Sequence, residues 1–304
     1  MASSTTAVNQ VIGQVRGLIR TMRPRQWVKN GFIFVALVFD RKLFQPEYLL
    51  ATIAGFALFS LAASTVYLIN DVVDIDADRA HPTKRNRPLP SGQLSKTVAI
   101  GAAVSLPLIV LPLSFLLRPS FGFVVAGYLL LQLAYSFQLK HIVILDVMAI
   151  AAGFVLRVVA GVVLVDVLRF SPWLYVFTTG MALFLGFGKR RQELDMLKDS
   201  PGSQSRAILE QYSITLLDEL LVICVAMSLL TYSLYTFSSE GLPSNNAMML
   251  TIPFVIYGFF RYLYLIHVRG EGHAPDEVIL HDRPMQITVG LWGLAAVLIL
   301  YVSG

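Results

Sequence analysis

The chain has 304 residues, of which 56% are hydrophobic and 14% charged, and its formal net charge is +5. Soluble domains carry about 25% charged residues, so this composition excludes an ordinary soluble protein and predicts one embedded in a lipid bilayer. A single cysteine, Cys224, lies within an apolar run. It excludes an intrachain disulfide and a zinc site built from several thiolates.

Residues 1–22 form a basic N-terminal segment, which we expect to be cytoplasmic. The segment lacks the apolar core of a secretory signal peptide. Apolar side chains at positions 11, 15, 18 and 19 share one helical face, and Arg16 and Arg20 flank it. This pattern predicts either an amphipathic helix on the membrane surface or a mobile tail.

Nine stretches of residues 23–304 are long and apolar enough to span a membrane, which takes about 20 residues. The first is the weakest, because Trp27, Lys29 and Asn30 open it, so eight spans with a re-entrant first element is the alternative count. We predict a single all-α domain, a polytopic bundle of nine transmembrane helices. The approximate bounds are 26–44, 48–70, 96–117, 120–139, 143–166, 171–188, 213–237, 246–267 and 284–303.

The basic residues are distributed unequally between the two sides of this arrangement. Eighteen of the 24 Lys and Arg residues fall on the side of the N-terminus and four on the opposite side. Cytoplasmic loops carry such an excess, so we expect the N-terminus, and the polar loops that share its side, to be cytoplasmic. Arg157 and Arg261 lie within spans; we expect Arg157 to reach Asp146 or a cavity, and Arg261 to extend to the interface.

A carboxylate cluster ends the second span. Asp71, Asp74 and Asp78 are spaced i, i+3 and i+7, so on a helix they share one face, next to Asn70, whereas Asp76 points away. Mg²⁺ prefers such oxygen ligands and leaves positions for phosphate oxygens. The cluster therefore predicts a metal-diphosphate site; the alternative is a solvated helix end paired with the basic residues at 84, 85 and 87.

The pattern from Asn70 to Asp78 resembles the first signature of the UbiA superfamily of membrane prenyltransferases. The resemblance implies a nine-helix bundle that binds Mg²⁺-diphosphate at this signature. Segments 23–30, 81–85, 132–135 and 188–194 are similar, in order and spacing, to the members that transfer phosphoribose to decaprenyl phosphate. Residues 139–141 match this group as well.

One feature separates this group from prenyltransferases of aromatic acceptors, which carry a second Asp-rich motif after the sixth helix. Here that place offers Lys189, Arg190 and Glu193, and Asp195 and Asp199 lie further out as an alternative second metal motif. Extra cations suit a donor and an acceptor that both carry phosphate, because arginine forks bind phosphate bidentately. We therefore expect the substrates to be phosphoribosyl diphosphate and polyprenyl phosphate.

The resemblance and the charge pattern together assign roles to individual residues. Expected catalytic residues are Asp71, Asp74, Lys84 and Lys189; expected substrate-binding residues are Asn70, Arg25, Lys29, Arg85, Arg87, Tyr135, Lys140, Arg190 and Glu193; expected Mg²⁺ ligands are Asp71, Asp74 and Asp78.

The predicted reaction needs no general base, because a lipid phosphate is already an anion, and it inverts the sugar centre. Glu193 is expected to hold a ribose hydroxyl or to orient Lys189, and segments 30–39 and 121–137 to line a polyprenyl groove. We expect a bacterial plasma membrane location with a cytoplasmic active site and no nucleic-acid partner, and a homo-oligomer stays open. The rival functions are prenyl transfer to an aromatic or lipid acceptor and transport of an anionic lipid.

Overall fold

The computed structural model describes residues 2–80, 84–167, 170–198, 207–239, 241–269, 278 and 281–302. The predicted residues 81–83 and Asp199 lie outside these ranges. The described residues form helices and no strands, as the all-α prediction requires. The α-helices are α1 Ala2–Met22, α2 Phe34–Phe39, α3 Pro46–Val73, α4 Ile75–Ala80, α5 Lys96–Leu117, α6 Pro119–Phe137, α7 Leu145–Val165, α8 Pro172–Lys198, α9 Ile214–Ser238, α10 Ile252–Tyr264 and α11 Arg283–Val302.

Seven helices of the described residues are long and apolar enough to cross a membrane. They are α3, α5, α6, α7, α9, α11 and a composite of α10 with the 3₁₀ turn Ala247–Thr251 before it and the π turn Leu265–Arg269 after it. Helix α8 has 27 residues, but its last part is charged and extends ten residues past the predicted end of that span. The count of nine spans is therefore not reproduced by this criterion.

The first predicted span is a broken element, which we call the entry element, Pro24–Phe39. It consists of a 3₁₀ helix over Pro24–Ile33 followed by the short α2. Its backbone packs directly on α7, because a Cβ at Gly161 would collide with the carbonyl oxygen of Ile33. A side chain at position 161 would push the two elements apart, so this close approach requires glycine.

Arg157 of α7, one turn before Gly161, also anchors the entry element. Its Nε donates to Asn30 Oδ1 at 2.7 Å and its Nη1 to the Gly153 carbonyl at 2.7 Å. The guanidinium also lies 5.0–5.4 Å from the ring centres of Phe59, Tyr128 and Phe154. The prediction that Arg157 reaches Asp146 is therefore wrong. Arginine suits this position because its planar charge stacks on aromatic faces and is weakly hydrated.

The N-terminal segment is helical over Ala2–Met22, so the structure agrees with the amphipathic alternative rather than with a tail. Gly17 packs against Leu94, and Gln14 Oε1 accepts the backbone N–H of Ser95 at 2.9 Å. The side chains of Val11 and Val15 stay more than half exposed. The placement of this face on a membrane surface stays a prediction.

Candidate active site

Helix α3 ends at Val73, and Asp74 interrupts it with φ −91° and ψ 10° before α4 begins. The carbonyl end of a helix disfavours carboxylates, yet Asp71, Asp74 and Asp78 all lie near this point. The Asp78 N–H nevertheless donates to the Asp74 carbonyl at 2.8 Å. The chain therefore keeps close to a helical course from Asp71 to Asp78.

Asp71 and Asp78 come together as their i, i+7 spacing predicts, and each is only 2% exposed. Arg87 joins them, with its Nη1 3.4 Å from Asp71 Oδ1 and 2.7 Å from Asp78 Oδ2. Lys84 Nζ lies 3.8 Å from Asp78 Oδ1. Two buried carboxylates thus share one guanidinium, and we call these four residues the carboxylate pocket.

Asp74 stands apart from this pocket. Its side chain is 45% exposed, and Lys140 Nζ lies 3.9 Å from Asp74 Oδ1. Asp76 is 88% exposed and pairs with Arg79 at 3.1 Å, so it points away as predicted. Across the described ranges, no three acidic, His or Cys side chains lie close enough together to hold one metal ion. Of the predicted three-carboxylate cluster, the structure therefore brings together Asp71 and Asp78, and Asp74 lies outside this pair.

Arg23 is a site residue that the sequence analysis missed. Its Nη2 lies 2.5 Å from Asp71 Oδ1, and its guanidinium lies 4.8 Å above the ring of Tyr67. Arg25, the predicted substrate-binding residue, is exposed, and Lys29 is half-buried. Position 23 adopts a left-handed conformation, with φ 54°, and a 3₁₀ helix follows. The substrate-binding role expected for Arg25 stays a prediction, and the contact of Arg23 with Asp71 adds a residue that the sequence analysis did not name.

A second charged cluster lies where α8 meets the start of α7. Arg190 is 1% exposed; its Nε donates to Asp146 Oδ2 at 2.6 Å, its Nη1 pairs with Glu193, and its Nη2 lies 3.3 Å from Tyr135 Oη. This geometry corrects the expectation that Arg190 binds phosphate, because two carboxylates and a phenol occupy its guanidinium. Glu193 pairs with the same guanidinium. Lys189, one residue earlier, is exposed.

Asp146 and Tyr212 complete this cluster, and neither was predicted as a site residue. Asp146 is 0% exposed, and its Oδ1 accepts the Tyr212 hydroxyl at 2.7 Å. Burial, followed by the hydrogen bond to Asp146, raises the pKa of Tyr212, so the phenol stays a proton donor. The sequence did offer a signal for Asp146, because it is an aspartate in the first turn of an apolar span, where an unpaired charge is costly.

The donor set of the carboxylate pocket fits a hard divalent cation. Asp71 and Asp78 both approach Arg87, Asn70 precedes Asp71 in the chain, and oxygen ligands are what Mg²⁺ prefers. Arg23, Lys84 and Arg87 now lie within 4 Å of these two carboxylates. A divalent cation with bound phosphate oxygens would satisfy the same negative charge.

An apolar cavity of about 290 Å³ lies between the entry element, α8, α10 and α11. Phe32, Val35 and Phe39 of segment 30–39 line it, and the described lining includes no residue of segment 121–137. The expectation that these two segments line a polyprenyl groove stays a prediction. The size and lining of the cavity suit a hydrocarbon chain.

Comparison with known proteins agrees with this architecture. Residues 31–281 match the model of the UbiA prenyltransferase family. Decaprenyl-phosphate phosphoribosyltransferase of Corynebacterium glutamicum is 33% identical over 295 residues, covering 94% of this chain and 87% of that protein. The protein of the same description from Mycobacterium tuberculosis is 34% identical over 282 residues, covering 91% of this chain and 92% of that one.

The fold is also found among solved structures. A UbiA homologue from Archaeoglobus fulgidus, bound to DMAPP and Mg²⁺, superimposes with a TM-score of 0.71 at 18% identity, covering 94% of this chain and 99% of the other. At that identity the likeness establishes a shared fold. The broken entry element and the long, partly charged α8 therefore belong to a known membrane architecture.

Proposed function

Because the chain belongs to the UbiA prenyltransferase family, we propose that it transfers 5-phosphoribose from phosphoribosyl diphosphate to a polyprenyl phosphate and releases diphosphate. The relatives in Corynebacterium and Mycobacterium support the substrate pair, since they are described as decaprenyl-phosphate phosphoribosyltransferases and align over most of this chain. Mg²⁺ is the proposed cofactor, supported by the Mg²⁺-bound family structures.

The observation that carries the proposal is the excess of cations around the two buried carboxylates. Arg23, Lys84 and Arg87 all lie within 4 Å of Asp71 or Asp78. A prenyl diphosphate meeting a neutral aromatic acceptor brings one polyanion to the site. Phosphoribosyl diphosphate and a lipid phosphate bring three phosphate groupings, and they need this additional positive charge.

The proposed transfer breaks the bond between the sugar C1 and the diphosphate oxygen and forms a bond between C1 and an oxygen of the lipid phosphate. Negative charge accumulates on the diphosphate as its bond breaks, and Lys84 and Arg87 stabilise it there. Mg²⁺, when held by Asp71 and Asp78, supplies further neutralisation of the leaving diphosphate. The acceptor is already an anion, so no proton is removed, and in-line attack gives a β-linked product.

Lys140, just before α7, and Lys189, on α8, are the further cations proposed to take part in substrate binding. Lys140 lies 3.9 Å from the half-exposed Asp74, and Lys189 is exposed at the charged part of α8. These lysines are the proposed contacts for the 5-phosphate and the lipid phosphate, together with Lys29 and Tyr135. Arg85 is exposed and stays a proposed contact at the outer edge.

The apolar cavity is the proposed seat of the isoprenoid segment nearest the lipid phosphate. The excess of 18 basic residues on one side supports a cytoplasmic site in a bacterial plasma membrane. Phosphoribosyl diphosphate is a water-soluble donor, so it reaches the carboxylate pocket from that side. The lipid acceptor reaches the same point from within the bilayer.

The test uses the purified chain in detergent with Mg²⁺, labelled phosphoribosyl diphosphate and decaprenyl phosphate. We expect a labelled phosphoribosyl lipid, with turnover lowered at least about 100-fold in Asp71→Asn, because truncating a transition-state contact costs this much. Asp76→Asn is the matched control, since Asp76 is exposed and points away, and it should retain turnover. A prenylated aromatic from a prenyl diphosphate, or cation-driven lipid uptake without bond formation, would overturn the proposal.

A further inference from the structure

A buried hydrogen-bonded chain lies beside the proposed phosphate contacts, and the transfer mechanism does not use it. It runs from Tyr212 through Asp146 to Arg190, and we call these three residues the Asp146 network. Both carboxylate oxygens of Asp146 are used, at 2.7 Å by Tyr212 Oη and at 2.6 Å by Arg190 Nε. Asp146 and Arg190 are 0% and 1% exposed, so this charge pair meets almost no solvent.

The Asp146 network contacts a residue in a strained backbone conformation, Ile144. Ile144 has φ 69° and ψ −46°, a conformation that is a genuine outlier for a β-branched residue. Its N–H donates to Tyr212 Oη at 2.7 Å. Tyr212 therefore accepts from Ile144 and donates to Asp146, so one hydroxyl fixes the strained residue to the buried charge pair.

Ile144 ends the connection between α6 and α7, and this connection carries Lys140 within the 3₁₀ turn Leu139–His141. The 3.9 Å approach of Lys140 Nζ to Asp74 depends on the path of this connection. At its other end the network holds Arg190, which lies between Lys189 and Glu193 on α8. The network thus joins two proposed phosphate contacts, Lys140 and Lys189, through elements that are distant in sequence.

We propose that Tyr212, Asp146 and Arg190 are positioning residues that hold the Lys140 connection and the charged part of α8 in the arrangement that binds the phosphates of the substrates. The kinetic test of this inference, a change in the KM for phosphoribosyl diphosphate, rests on the proposed function. The inference assigns Arg190 to positioning rather than to phosphate binding. It also accounts for how the positive φ of Ile144 is held, since the hydroxyl of Tyr212 accepts the N–H of that residue.

The variant that tests this is Tyr212→Phe, which removes one hydroxyl and keeps the buried ring. Tyr301→Phe is the matched control, because Tyr301 Oη also accepts a loop N–H, that of Leu43 at 3.2 Å, and donates to a backbone carbonyl, that of Val38 at 3.1 Å. We expect Tyr212→Phe to raise the KM for phosphoribosyl diphosphate about tenfold, the scale of one hydrogen bond to a charged group. Tyr301→Phe should leave it within about twofold.

A double-mutant cycle with Lys140→Ala separates positioning from general destabilisation. If Tyr212 acts through the placement of Lys140, we expect Lys140→Ala to change KM about threefold less in the Tyr212→Phe background than in wild type. A merely structural tyrosine gives effects that multiply. Effects that multiply, or an unchanged KM in Tyr212→Phe, would overturn the proposal.

Two further measurements keep the test decisive. Ile144→Gly relieves the strain, because glycine adopts positive φ without a steric penalty. In that background the chain should fold, and Tyr212→Phe should raise the KM at least about threefold less than it does in wild type. An equal rise in KM would contradict the inference. Hydrogen exchange of residues 138–144 needs no substrate, and we expect it to be about tenfold faster in Tyr212→Phe than in Tyr301→Phe. Unchanged exchange refutes positioning, whereas faster exchange in a chain without transfer activity supports positioning and refutes only the proposed reaction.

Discussion

Replacing Arg87 by glutamine tests whether the carboxylate pocket is a competing site for cations. Arg87 Nη1 lies 3.4 Å from Asp71 Oδ1 and 2.7 Å from Asp78 Oδ2, so these two oxygens are within about 6 Å of each other. Two unit charges at about 6 Å repel by about 3 kcal/mol at an effective dielectric constant of 20. Glutamine keeps the length and polarity of the side chain but removes the charge that relieves this repulsion.

A divalent cation that relieves the same repulsion should gain affinity in the variant. The full 3 kcal/mol corresponds to about 100-fold in a dissociation constant. Arg23, which stays 2.5 Å from Asp71, and Lys84, which stays 3.8 Å from Asp78, offset a part of it. We therefore expect Mg²⁺ to bind about ten- to 100-fold more tightly to Arg87→Gln without substrate. Turnover should move the opposite way, falling at least about tenfold, because the leaving diphosphate loses a cation.

Calorimetric titration with Mg²⁺ in detergent, together with turnover at saturating Mg²⁺, measures both effects. Arg79→Gln is the matched control, since Arg79 makes one exposed pair with Asp76 at 3.1 Å, and exposed pairs contribute little. Both quantities should stay near wild type in that control. Mg²⁺ affinity that is unchanged or lower in Arg87→Gln would refute the reasoning, because it would place the cation away from Asp71 and Asp78.

Two further predictions concern stability. Gly161→Ala should lower the thermal unfolding midpoint by several degrees, because its Cβ collides with the Ile33 carbonyl, whereas Gly127→Ala, which meets nothing within 4 Å, should not; equal midpoints would contradict the close approach. The hydrogen bond from Arg261 lowers the pKa of Asp282 from its ordinary 3.8, so the pair stabilises the fold above that pH and the stabilisation is lost as the pH falls through the lowered value. Denaturant unfolding between about pH 2 and 5 should show a steeper acid loss in wild type than in Asp282→Asn, and parallel curves would exclude this linkage.

The sequence predicts the long apolar helices and the pairing of Asp71 with Asp78 well, because both follow from the period of a helix. Local pattern fails where the backbone leaves that period. Arg23, which lies in a left-handed conformation just before the 3₁₀ helix, reaches Asp71, a contact that the sequence did not predict. The charged end of α8 similarly continues as helix past its predicted boundary, because the buried pair with Asp146 compensates Arg190.

The contacts of Arg190 could not be read from its neighbours in the chain. The residue looked like a phosphate ligand because it follows Lys189 in a basic run. Its partner Asp146 lies 44 residues earlier, and Tyr212, which completes the network, had no pattern of its own. The sequence predicts where positive and negative residues occur, but tertiary packing decides which of them form ion pairs.

The bond between Arg157 and Asn30 joins residues that are 127 positions apart. Ribosomal synthesis therefore delivers the entry element before this anchor exists, although Asn30 Nδ2 also donates to Ser60 Oγ of α3 at 2.9 Å. Until α7 is inserted, Asn30 Oδ1 lacks its guanidinium donor, and an unsatisfied polar group in hydrocarbon is costly. The entry element therefore reaches its final position only after α7 has entered the membrane, and a ribosome-stalled chain ending before Arg157 would present an incompletely anchored entry element.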